Sequence, residues 1–276
     1  MKTSTPPRAS ISAPLTSALA CIAACCIAAA NGHVFWSYDA YYMLAVGDGM
    51  LDSGSIPHVD SLTMHDELPY VCQQWAFIFG LSSVNMIFGR AGCIFVFALC
   101  SLLAALGIAF AGAKRSMPAI GWTMPPLFLI FAIESGFLGG TPRGLDVLAF
   151  CAGIVWTCRI MRSDRIPTWI WVALPVGELV FANLHGALWP MPLLAPLCCL
   201  LDRRSSGMRG RILLCVVAAA VLAVANPSGL ATLALPVVSG MSDDFAPLIG
   251  ELSPIRPFSP AWAILVAIAA LYVAFR

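Results

Sequence analysis

The residues able to do chemistry in this chain are few, and they come in short groups. Tyr38-Asp39-Ala40-Tyr41-Tyr42 sets a carboxylate among aromatics. His58, Asp60, His65, Asp66 and Glu67 share the polar stretch that follows. Later come Thr141-Pro142-Arg143, Asn183-Leu184-His185-Gly186, Asn226-Pro227-Ser228-Gly229 and Glu251-Leu252-Ser253-Pro254. A carboxylate can take a proton from an attacking hydroxyl. An arginine can bind a phosphate or anchor a helix end. Asn-Pro-Ser-Gly reads first as a turn. Asn183-Leu184-His185-Gly186 is harder to assign to a turn alone, because a turn does not require histidine. Glu134, Asp146 and Glu178 lie inside apolar runs, where an ionisable group is costly and marks function by default. Glu178 is the deepest, five residues before Asn183 and about 7.5 Å from it along a helix axis.

These groups must be held by helices in a membrane. Hydrophobic residues are 60% of the 276, charged residues only 11%, and mean hydropathy is +0.87. A soluble domain is about 25% charged, so too little charge remains to coat a water-exposed surface. A net charge of +1 gives no basic footprint for nucleic acid. Ten of the 11 cysteines fall in apolar runs and read as small hydrophobes at helix contacts, with Cys72 alone in a polar segment. The chain reads as an all-α polytopic membrane protein with a single domain over 1–276. About 20 apolar residues make a span, which marks eight: 12–31, 91–113, 117–138, 144–162, 167–183, 186–201, 212–225 and 259–275. The first reads as an uncleaved helix rather than a signal peptide, because its apolar run is long for that role. Residues 32–90 form a long extracytoplasmic loop.

The segment 73–89 is ambiguous, and charge decides it, because short cytoplasmic loops hold the excess of Lys and Arg. If it lies as a surface or re-entrant helix, only Arg90, Arg143 and Arg256 of the 15 basic residues face outward, and both termini are cytoplasmic in the cell membrane. All four histidines and most acids then collect on the outer side, and no internal repeat of the kind transporters show is visible.

The order of motifs resembles a broad group of bacterial GT-C-like membrane glycosyltransferases. The resemblance rests on Asp39-Ala-Tyr-Tyr-Met-Leu, Gly54-Ser-Ile-Pro-His-Val-Asp60-Ser and Tyr70-Val-Cys-Gln-Gln-Trp75, continued by the three later turns, over roughly 35–260. It implies a GT-C-like bundle whose first loop carries short surface helices. It implies sugar transfer from a polyprenyl-phosphate donor, with membrane lipids around it. Asp39 then takes the place of the catalytic base. Arg143 and His185 would bind phosphate, Asn183 and Glu251 would hold sugar hydroxyls, and Glu178 and Asp60 would also bind substrate. A divalent ion between Asp39 and Asp60 stays open. The pattern departs at Met43, where such loops often carry histidine, and at Gln73-Gln74, where they carry His-Glu. It departs again at Thr141-Pro142, where Arg-Pro is common. The chain reads as a divergent, truncated member. The alternative is a non-catalytic carrier or scaffold in surface-polymer assembly.

Overall fold

The structure, a computed structural model, describes residues 12–31, 35–60, 62, 69–112, 122–134, 140–162 and 166–241. Among these the chain is helical, and β pairing is limited to an isolated bridge between Val59 and Pro69. The helices are α1 (Ser12–Ala30), α2 (Tyr38–Ser53), α3 (Trp75–Gly112), α4 (Met124–Glu134), α5 (Arg143–Arg162), α6 (Thr168–Leu184), α7 (Leu194–Cys199), α8 (Arg209–Ala223) and α9 (Leu230–Met241). Three stretches are long and apolar enough to cross a membrane: Ala13–Ala30, Trp75–Ala109 and Arg143–Arg162. Thr168–Leu184 and Gly186–Cys199 are shorter apolar segments. Outward-facing rows such as Val172, Val176 and Val180 suit contact with hydrocarbon. The chain is thus a multi-helix membrane protein.

The helices depart from the eight expected spans at two places. Residues 186–201 are no single helix, because Pro190, Pro192 and Pro196 divide them into 3-10 turns and the short α7. Helix α9 stands where no span is expected, and 259–275 lies outside the described residues. The chain forms two compact units, Met1–Leu233 and Ala234–Arg276. The described part of the second is the end of α9.

Within α3, Gly89 has φ 62 and ψ −162, a combination open essentially to glycine alone. Cys93 Sγ lies 3.8 Å from the Leu81 carbonyl oxygen, and the rings of Phe77 and Phe97 are 6.2 Å apart. A straight helix would separate residues 81 and 93 by about 18 Å, and 77 and 97 by about 30 Å. The arms 75–88 and 90–112 therefore fold back on each other at Gly89. The break falls where the sequence separates 73–89 from 91–113. The first arm packs on α2, where Ser82 Oγ donates to the Leu44 carbonyl at 3.3 Å. Arg90 stacks over the Trp36 ring at 4.7 Å.

One apolar core joins α1 to α4 through Cys21, Cys25, Met43, Ile78, Phe97 and Leu129. A second joins α5 to α8 through Trp156, Ile160, Leu174, Ile212 and Val216. Pro175 inside α6 frees the carbonyl of Trp171, and the Cys215 thiol donates to it at 3.4 Å. All 11 cysteines are free, and eight, Cys72 included, are buried.

Candidate functional site

Five segments distant in sequence meet at one end of the first unit. Asn183, at the end of α6, ties three of them. Its Nδ2 donates to the carbonyls of Leu179 at 2.8 Å and Ala225 at 2.9 Å. Its Oδ1 accepts from Trp75 Nε1 at 2.7 Å. Gln73 completes the tie: its carbonyl accepts the Gly186 N–H at 2.8 Å, and its Oε1 accepts the Ala187 N–H at 2.6 Å. A Cβ on Gly186 would stand 2.8 Å from the Gln73 carbonyl oxygen and 2.5 Å from Thr232 Cγ2, so this approach admits only glycine. Asn226 donates to the Ala182 carbonyl at 2.9 Å and accepts from the Ser228 N–H and Thr232 Oγ1, each at 3.0 Å. The Gln-Gln-Trp, Asn-x-His-Gly and Asn-Pro-Ser-Gly groups are one hydrogen-bonded frame.

His185 follows Asn183 and turns toward α5. Its Nδ1 is 2.5 Å from Asp146 Oδ1, and the two side chains are 12% and 4% exposed. Asp146 lies one turn beyond Arg143, at the start of α5. Just before it, Gly140 packs so closely against Ser37 that a Cβ there would collide with Ser37 Oγ. That contact sets Ser37, the residue before α2 and two before Asp39, against the 140–143 turn. Asp39 is exposed on the first turn of α2.

Polar demand at this end exceeds supply. The buried side-chain atoms without a partner include Trp36 Nε1, Ser37 Oγ, Thr141 Oγ1, Asp146 Oδ2 and Ser228 Oγ. Trp36 lies under Arg90 beside the Gly89 reversal, and the other four lie on the segments that converge here. Buried polar groups are otherwise paired, so these are unmet donors and acceptors, and one of them, Asp146 Oδ2, belongs to the His185–Asp146 pair itself.

The remaining sequence candidates are placed elsewhere. Asp60 caps its own turn, its Oδ1 accepting the Leu62 N–H at 2.9 Å. It lines a separate cavity of about 360 Å³ with Ser53, Ser55, His58 and Tyr70. Beside it the Tyr42 hydroxyl donates to that of Tyr70. Burial pushes the Tyr70 phenol well above its ordinary range, and the bond to Tyr42 adds to the rise. Burial raises Tyr42 and the Cys72 thiol too, against an opposing effect of their bonds to Tyr70. Glu178 is 1% exposed, between α5 and α6, with both carboxyl oxygens unpartnered. Glu251 lies outside the described residues. No group of three His, Cys, Asp or Glu converges as a metal site among the described residues.

Ser37 carries no mark in the sequence as a site residue, and Gln73, Trp75 and Thr141 are marked there only as members of short motifs. Asp146 stands out there only as an acid near a helix end. Its signal is its place three residues after Arg143, in a helix otherwise free of acids. Comparison of the chain with family models, with curated proteins and with solved structures finds no match.

Proposed function

We propose that this end of the bundle is the extracytoplasmic substrate site of a membrane glycosyltransferase with a GT-C-like layout. The buried His185–Asp146 pair with Asp146 Oδ2 unmet, and the unmet Ser37 and Thr141 hydroxyls on the segments before it, carry the reading. A polyhydroxylated sugar supplies donors and acceptors at such a density. An apolar groove of about 390 Å³ between α1 and the second arm of α3 suits a lipid tail. The fold-back at Gly89 supports a first loop that lays two short helices, α2 and the arm 75–88, over the spans.

In the reaction, the acceptor oxygen attacks the anomeric carbon and the bond to the donor phosphate breaks. Asp39, exposed two residues beyond Ser37, takes the acceptor proton. Arg143 and the His185 ring support the departing phosphate. Asn183, fully engaged in the frame, holds the turn that carries His185 and does not reach substrate itself.

A second reading, a carrier or scaffold, is favoured by Gln73, which spends its side-chain acceptor on backbone rather than on chemistry. Three strains separate the two: intact, deleted, and carrying Asp39→Asn at matched membrane levels. Loss of one lipid-linked sugar product in both altered strains supports transfer. A change on deletion alone removes Asp39 as base and leaves the carrier or scaffold.

A further inference from the structure

Glu178 presents the least expected arrangement in the bundle. It sits near the middle of α6, about 15 Å along the axis from Thr168 and about 9 Å from Leu184. Its side chain is 1% exposed, and neither carboxyl oxygen has a partner. It lines a cavity of about 110 Å³ between α5 and α6. The wall combines small residues, Ala149, Ala152 and Gly153 on one helix and Ala173 and Gly177 on the other, with the buried side chains of Trp156, Leu174, Phe181 and Pro192. Ala152, Ala173 and Gly177 are exposed, so the mouth opens to the outside of the bundle. A Cβ on Gly177 would meet nothing within 4 Å.

We infer that this cavity receives a lysine or arginine from a transmembrane helix of a partner protein. Small residues on two neighbouring helices let a third backbone come close, and a polar contact inside the membrane fixes it there. Two unmet acceptor oxygens on one carboxyl call for a donor with several N–H groups, which an ammonium or guanidinium supplies. Size selects the kind of occupant. Small-molecule sites run to about 300–1,000 Å³, and this cavity takes only the end of a side chain. A second copy of this chain does not fit from its described residues. Arg90, Arg143, Arg159, Arg162, Arg209 and Arg211 lie at helix ends or beside the Gly89 reversal, and Arg203 and Arg204 in the turn before α8, away from the depth of Glu178. The inference is independent of the proposed sugar transfer.

The test places the full chain in phosphatidylcholine vesicles and follows resonance energy transfer to two synthetic transmembrane peptides. One is poly-leucine, and the other carries a central lysine. The lysine peptide should associate at least about tenfold more tightly with the wild type, since each tenfold step corresponds to about 1.4 kcal/mol. Glu178→Gln should bring the two peptides to parity. Gly177→Leu fills the mouth while keeping the acid, and should do the same. Equal binding of both peptides to the wild type overturns the inference and leaves water, a bound proton or a lipid headgroup as the occupant. A lysine preference that survives both substitutions overturns it as well. Should Glu178→Gln fail to fold, Gly177→Leu decides alone.

Discussion

His185→Ala removes the partner of a carboxylate that is only 4% exposed. Asp146 Oδ2 already lacks a hydrogen bond, so the variant leaves both oxygens of a buried acid unmet. Leaving a buried acceptor unmet costs about 1–3 kcal/mol, and more where the acceptor is charged. An ordinary hydrogen bond between membrane helices averages about 0.6 kcal/mol. Burial and a 2.5 Å contact place this pair in the first case. A loss of about 3 kcal/mol lowers the folded population more than a hundredfold relative to the unfolded. The assay is reversible unfolding in mixed micelles, followed by tryptophan fluorescence. Asp146→Ala and the double variant complete a cycle, in which the double variant should lose less than the sum of the singles, because no lone charge remains. A loss below about 1 kcal/mol for His185→Ala, or additivity within about 0.5 kcal/mol, would refute the buried pair and the site built around it.

Gly89→Ala should cost about 1–3 kcal/mol, although its Cβ would meet no atom, because the backbone conformation itself is strained for other residues. In the wild type a cysteine introduced at Leu81 should crosslink with Cys93, and a continuous helix would hold the two about 18 Å apart. Trp75→Phe keeps the ring but removes the N–H held by Asn183, and should cost about 0.5–1.5 kcal/mol in the same unfolding assay; no loss would mean that the frame does not depend on this tie. Burial raises the phenols of Tyr42 and Tyr70, so the folded chain keeps protons that the unfolded chain releases. The stability they contribute is complete below about pH 10 and falls as pH rises above it. An ultraviolet titration should show a phenol fraction that ionises only on unfolding, and Tyr42→Phe should shrink it; ionisation of every phenol near pH 10 in the folded chain would contradict the pairing.

Much of the helical order was legible, because a lipid-facing helix must be apolar over its length and basic residues mark its ends. Helices α1, α5 and α6 follow the expected spans within a few residues. Residues 186–201 misled, since hydropathy alone does not register three prolines that divide an apolar run. The Asn-x-His-Gly turn stood out because a turn does not call for a histidine, and its histidine pairs with Asp146. Gln73 did not, since an amide two residues before a tryptophan carries no mark of the backbone it will meet more than a hundred residues later.

The sequence by itself determined the solvent, the helical class and the short list of groups able to act, because these follow from composition and local spacing. It also set the segment 73–89 apart from the helix that follows, through the distribution of basic residues. Only the tertiary structure decided which groups act together. His185 pairs with Asp146 across 39 residues, and Asn183 with Trp75 across 108. Asp60 is set apart beside Tyr70, and Glu178 is left without a partner. Pairings of this kind depend on how helix ends meet in space. A short hydrogen bond is set by the packing of whole helices, and no single segment carries that information.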